Sequence, residues 1–226
     1  MTQLPALRAR TPPPLVTGGR WLSDLWRDWR LRSVGQFLGS GYEAVLDWWR
    51  EFRETSPNDW SPDLELYVLV RARKPEHVVE TGVRRGWSSA SILRALDRNG
   101  RGHLTSVDLP TQTQPGEKHW WAEIGPGMTG CDVPGYLRDR WTLIIGDART
   151  ELPKLEGYDF FFHDSDHSYE HQQFEFATAL RHLPAGGVLA ADDIDWSVAW
   201  DEFARTHPRR FTWPPIRRQR GAVLLP

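Results

Sequence analysis

From Pro75 onward, short apolar runs alternate with stretches of helical periodicity, and this alternation constrains the fold more than any other feature. The runs are His77 to Thr81, His103 to Leu109, Trp141 to Gly146, Tyr158 to His163 and Gly187 to Ala191. Helical candidates at Ser88 to Asp97, Ala148 to Leu155, Tyr169 to Leu183 and Val198 to Thr206 lie between and after them. Parallel strands cannot be joined by tight turns, so such a repeat specifies a sheet covered on both faces by crossover helices. Two further runs, Phe211 to Ile216 and Gly221 to Leu225, break the alternation. They are joined by a turn of Arg217, Arg218, Gln219 and Arg220, which predicts a hairpin carrying an antiparallel strand. The expected fold is α/β: a doubly wound, mostly parallel, seven-stranded Rossmann-like sheet with a C-terminal antiparallel hairpin and N-terminal helices.

Residues 1–59 are expected to form an N-terminal tail and helices, and residues 60–226 the main domain. Prolines 12–14 and Gly18-Gly19 favour irregular backbone at the start. Trp21, Leu25, Trp26 and Trp29 recur at helical spacing over Trp21 to Arg32, and a second helix is expected over Tyr42 to Glu54. Their aromatic faces suit packing on the main domain or on a second subunit, a lid over the substrate, or a membrane surface. A homodimer is the expected assembly. Ser61-Pro62-Asp63 supplies a cap, a first-turn proline and an acid for a third helix, with Leu64, Leu66, Leu69 and Val70 facing inward and Lys74-Pro75 ending it.

Composition excludes several classes of function. A net charge of -2 and a pI near 6.4 leave no electrostatic footprint for nucleic acid. No run approaches the roughly 20 apolar residues of a membrane span. Cys131 is the single cysteine, so no internal disulfide can form, and no signal-peptide pattern opens the chain; a cytoplasmic setting is expected. Thirteen tryptophans are available for core packing or for the wall of a pocket that takes a flat ligand.

The chemistry-bearing residues gather at the ends of the apolar runs. Glu80-Thr81-Gly82-Val83-Arg84-Arg85-Gly86-Trp87-Ser88 places an acid and two glycines between a strand and a helix start, where backbone can approach a ligand and unpaired N–H groups face it. Gly82 and Gly86 enclose three residues, which departs from the dinucleotide fingerprint. The second run ends at Asp108, a residue suited to ribose hydroxyls or to capping the next turn. The third ends in Gly146-Asp147-Ala148, where Asp147 either meets an adenine amino group or caps the following helix. The fourth ends in His163-Asp164-Ser165-Asp166-His167 and the fifth in Asp192-Asp193. Such an oxygen-rich edge suits a hard divalent cation, although Asp166 or Asp193 can also serve as a helix cap.

On these motifs, residues 60–226, about three quarters of the chain, resemble class I S-adenosylmethionine (SAM)-dependent methyltransferases. Within them the chain is similar to the branch of macrocin-type sugar O-methyltransferases and cephalosporin-hydroxylase-like proteins; catechol and caffeoyl-CoA O-methyltransferases are more distant. The points of likeness are Glu80, Gly82, Gly86 and Ser88, the pair Asp164 and His167, and the pair Asp192 and Asp193. Residues 1–59 have no counterpart in it.

The resemblance implies that Glu80, Gly82, Gly86, Ser88, Asp108, Asp147 and Ala148 hold SAM. It implies that Asp164, Asp192 and Asp193 bind Mg²⁺ or Mn²⁺, and that His167, with Asp164, serves catalysis as the proton acceptor. The activity so implied is cation-dependent methyl transfer to a hydroxyl, that of a vicinal diol on a small natural product or sugar. Three alternatives stay open: a metal-independent methyltransferase, a hydroxylase-associated partner protein, and a nicotinamide-dependent oxidoreductase.

Overall fold

The computed structural model of the chain describes residues 32–55, 63–110, 127–213 and 220–226. The first elements are helices α1 (32–38), α2 (Tyr42–Thr55) and α3 (Leu64–Arg73). Next come β1 (His77–Thr81), α4 (Trp87–Asn99), β2 (His103–Asp108), β3 (Trp141–Ile145) and α5 (Ala148–Glu151). The chain continues through β4 (Phe160–His163), α6 (Tyr169–His182), β5 (Val188–Ala191), α7 (Ala199–Arg205), β6 (Arg210–Trp213) and β7 (Arg220–Leu224). The seven strands form one sheet in the order β3-β2-β1-β4-β5-β7-β6. Strands β1 to β5 are joined by parallel ladders, and β7 enters antiparallel between β5 and β6. This is the fold expected from the alternation.

Three consecutive phenylalanines show how strand geometry builds the core. Side chains alternate across a strand, so Phe160 and Phe162 enter one hydrophobic cluster and Phe161 the opposite one. Val188 and Ala190 divide from Leu189 and Ala191 in the same way. The first cluster is completed by α1 to α4, and the second by α6 and α7. The sheet is thus covered on both faces, which is why its strands read as continuous apolar runs rather than alternating ones.

Several boundaries differ from expectation for local reasons. The helix expected over Ala148 to Leu155 is α-helical only to Glu151 and continues as a 3-10 turn over Leu152–Lys154. Pro153 lacks the N–H that an α-helical bond requires. The unexpected α1 buries Val34, Phe37 and Leu38 in the first cluster. The α2 helix adds Val45 and Phe52 to that cluster, with Trp48 and Trp49 packed against it. The helix expected at Trp21 to Arg32 lies outside the described residues except for its last residue, and so do the tail, Ser61-Pro62 and Arg217 to Gln219.

Arg220 was expected in the hairpin turn, yet it is the first residue of β7 and is buried. Its Nε and Nη2 donate to the two oxygens of Asp192 at 3.0 and 3.1 Å, and Nη2 also donates to Asp63. Asp63 stands at the N-cap of α3 but makes no capping bond with its side chain. Burial opposes the guanidinium charge, and the two carboxylates outweigh it and raise the pKa. One cation therefore ties the start of α3, the end of β5 and the start of β7. Removing one member of a buried ion group leaves uncompensated charge and costs about 3–5 kcal/mol. Arg220→Met is expected to lower unfolding free energy by that amount in urea titrations, well beyond a surface Arg50→Met control.

Candidate active site

Strand order reverses at β1, whose neighbours are β2 on one side and β4 on the other. The two crossovers leave in opposite directions there and open a crevice at the carboxyl ends of the strands. A pocket of about 350 Å³ occupies this crevice, a size within the roughly 300–1,000 Å³ usual for small-molecule sites. Of the residues singled out in the sequence, Gly82, Ser88, Asp108, Asp147, Ala148, Asp164, His167 and Asp193 line it, whereas Glu80, Gly86 and Asp192 do not.

One half of the pocket is built by the turn after β1. Gly82 has φ +82°, and a methyl group on it would overlap the backbone carbonyl of Asp164. Asp108, at the end of β2, accepts from the backbone N–H groups of Val83 at 3.0 Å and Arg84 at 2.6 Å through Oδ2. It therefore braces the glycine turn in addition to lining the pocket. Gly86 sits behind the pocket wall as the N-cap of α4 at φ +90°, where a Cβ would meet Val133 Cγ2 at 2.6 Å. Asp147 has the capping role: Oδ1 accepts from Arg149 N–H at 2.8 Å as the cap of α5, and the residue also lines the pocket.

Glu80 lies beneath this half rather than in it. The side chain is fully buried, and Oε2 accepts from Ser89 Oγ at 2.5 Å and Ser106 Oγ at 2.7 Å. Burial pushes its pKa up to about 7, against the opposing pull of the serine hydroxyls. The structure thus gives Glu80 a place supporting the first turn of α4.

The other half is formed by the loops after β4 and β5. Asp193 adopts a left-handed conformation at φ 48°, which turns its side chain apart from that of Asp192. His167 Nε2 lies 3.6 Å from Asp193 Oδ2 and 4.0 Å from Asp164 Oδ1. Burial and the neighbouring His163 lower the His167 pKa to about 4, so the ring is neutral near pH 7. Trp196, 72% exposed, stands beside it with ring centroids 5.9 Å apart. Asp166 accepts from Ser168 N–H at 2.9 Å, a local turn role that precedes α6.

The residues present do not fit the divalent site expected from Asp164, Asp192 and Asp193. Asp164 and Asp192 do leave adjacent strands, since His163 pairs with Ala191 in the ladder. Asp192, however, is fully buried and directs both oxygens to Arg220. A guanidinium already occupies the position from which that carboxylate would meet an ion, and among the described residues no His, Cys, Asp and Glu group is arranged to hold a metal.

A polar cluster lies behind His167. Glu175, buried in α6, accepts from Thr81 Oγ1 and His163 Nδ1, each at 2.6 Å, and from Ser165 Oγ and His171 Nε2, each at 2.8 Å. Burial alone would raise its pKa; the His163 charge and these hydrogen bonds outweigh it and hold the carboxyl at about 2. Glu175, Asp63 and Arg220 were not among the site residues expected from sequence. The four-residue spacing of His171 and Glu175 on one helix face was the available signal for the first. None marked the other two, whose contact spans 157 positions.

No curated protein matches the chain by sequence. Among solved structures, a putative O-methyltransferase from Klebsiella pneumoniae aligns with TM-score 0.56 at 17% identity, over 81% of this chain and 89% of its own. The O-methyltransferase TomG from Streptomyces achromogenes, involved in tomaymycin synthesis and solved in complex with SAM, aligns with TM-score 0.53 at 16% identity, over 81% and 90%. The SAH-bound Podospora anserina methyltransferase PaMTH1 aligns with TM-score 0.52 at 16% identity, over 95% and 100%. At such identities these likenesses bear on the fold. The sequence profile of the Methyltransferase domain family matches residues 79–194, just over half of the chain and the segment that carries both halves of the pocket. The protein belongs to the Methyltransferase domain family.

Proposed function

We propose that this methyltransferase transfers the methyl group of SAM to a hydroxyl oxygen of a small molecule, with His167 accepting the hydroxyl proton. One observation carries the reading: a neutral imidazole faces the same pocket as the glycine turn and Asp108, across the close contact of Gly82 with Asp164. SAM supplies an electrophilic methyl on a sulfonium centre. The turn at Gly82 and the carboxylate of Asp108 hold the cofactor side, the latter toward the ribose hydroxyls. His167 takes the proton as the hydroxyl attacks, a role suited to an imidazole that is uncharged at working pH. Holding both reactants in place contributes as much as about 7–11 kcal/mol of barrier reduction in well-oriented systems. Trp196 offers an exposed flat face beside the base, which favours an acceptor that carries its hydroxyl on a ring.

The engagement of Asp192 by Arg220 favours acid–base chemistry over the cation-dependent variant. Membership of the macrocin-type branch rests on the motif likeness alone, and it is the reading that keeps a cation in play. Chelator separates the two. With SAM and a panel of phenols, catechols and sugars as acceptors, formation of S-adenosylhomocysteine is expected to continue in excess EDTA; loss of turnover restored by Mg²⁺ would establish the cation-dependent reading.

Two substitutions test the halves separately. Asp108→Ala removes a charged acceptor normally worth about 1.5–3 kcal/mol, so calorimetry should show at least a tenfold loss of SAM affinity; unchanged affinity would displace Asp108 from the ribose. His167→Ala should lower turnover by about 10²–10⁴ with cofactor affinity preserved. In the unsubstituted enzyme the lowered imidazole pKa keeps the base available well below pH 6.5, so kcat/KM should fall on the acid side only toward pH 4.

A further inference from the structure

Two side chains at the lip of the cofactor half hold one exposed ring in place. Trp87, the first residue of α4, lines the pocket and is 47% exposed. An indole has a single polar atom, and here Nε1 donates to Asp132 Oδ2 at 2.8 Å. The same carboxylate accepts from Arg85 Nε at 2.6 Å and from Arg85 Nη2 at 2.8 Å, a two-point pairing that fixes its plane. The Arg85 hydrogen bonds keep the Asp132 carboxyl below its usual range, and the Trp87 bond adds to this against burial. Asp132 is itself fixed to the glycine turn. Its N–H donates to Arg85 O at 2.9 Å, and Gly130 N–H donates to Arg84 O at 2.7 Å. A Cβ at Gly86 would lie 3.0 Å from Gly130 Cα, so the two stretches of main chain touch, and a Cβ at Gly130 would overlap the ring of Trp141 in β3. The tether of Trp87 therefore lies on the β3 flank of the turn, away from β4 and the acceptor half. Leu109, 59% exposed, follows Asp108 at the end of β2 on that flank and lines the pocket as well.

We propose that Trp87 forms a wall of the SAM site against the adenosine, and that Asp132, with Arg85, is the residue that positions this wall. The inference rests on the reading of the pocket as a SAM site with Asp108 toward the ribose. An ion pair whose side chains are 36% and 32% exposed contributes little to fold stability, whereas a fixed indole face beside Asp108 suits the flat base of an adenosine. Tethered at one edge before the cofactor arrives, the ring meets the base without first having to be ordered, and this is what the tether contributes to binding.

Calorimetry of the full chain with SAM, S-adenosylhomocysteine and methylthioadenosine, which lacks the amino-acid portion, tests this without any acceptor. Trp87→Ala is expected to weaken all three ligands by at least about fivefold, the scale of base–aromatic stacking. Asp132→Ala is expected to weaken them by at least about twofold when Trp87 is present. Because Asp132 acts through the indole N–H, its effect should vanish once Trp87 is alanine or phenylalanine. Trp87→Phe keeps a ring and removes the N–H, so the cycle closes even if Trp87→Ala does not fold. Unchanged affinity in folded Trp87→Ala, a loss confined to the two ligands that carry the amino acid, or an Asp132→Ala effect that persists without the indole N–H overturns the proposal. If the unsubstituted protein binds none of the three, the SAM reading falls and the inference with it; tight binding that is insensitive to Trp87 and Asp132 removes the inference alone.

Discussion

The backbone of the turn after β1 lies against the carbonyl end of β4 at a separation that admits no side chain, and the site depends on this contact. Gly82 meets the Asp164 carbonyl, and Asp164 N–H donates to Thr81 O at 2.9 Å. The two halves of the pocket therefore share a wall made of main chain. Main chain held in a parallel ladder has few ways to shift, so the distance between the two halves is set by the sheet and not by flexible side chains. Asp108 extends the same rigidity to the far side, because its carboxylate fixes two amides of the turn.

Around that wall the chain buries acids in three different ways. Asp192 and Asp63 share a guanidinium; Glu175 gathers hydroxyl and imidazole donors; Glu80 has serine hydroxyls, and burial lifts its pKa to about 7. The difference follows from the partner. The donors and the His163 charge around Glu175 stabilise its ionised form, whereas the serine hydroxyls around Glu80 do not fully offset desolvation. Asp164 and Asp193, partly exposed, bring carboxylates to the pocket within 4.0 Å of His167 Nε2.

The sheet was legible in the sequence because burial on both faces makes apolar runs such as Phe160 to Phe162, and because each run ends in a polar residue at the same edge. Strand ends therefore marked Asp108, Asp147, Asp164 and His167 as pocket residues without knowledge of the topology. What was not legible is direction. Asp192 and Asp193 are adjacent letters, yet one is buried on Arg220 and the other lines the pocket through a left-handed backbone angle. Nothing local to Arg220 distinguished it from its arginine neighbours in an apparent turn; its role arises only when β7 lies beside β5. Glu80 misled for a related reason: an acid at the end of β1 points either into the crevice or under α4, and the serines at 89 and 106 decide between them.

The insertion of β7 between β5 and β6 also has a consequence for the order in which the protein can assemble. Strand β6 precedes β7 in the chain, yet it reaches the sheet only by pairing with β7. Until β7 is made and docked, β5 is an open edge, and Asp192 and Asp63 are buried or burying charges without their cation. A nascent chain that has completed the glycine turn, β4 and α6 therefore already carries the pocket residues but lacks the ion that lets their surroundings close. Completion of the site and closure of the sheet edge become a single late event, so a ribosome-bound intermediate that ends before residue 220 is expected to present an unpaired β5 to chaperones and to other chains.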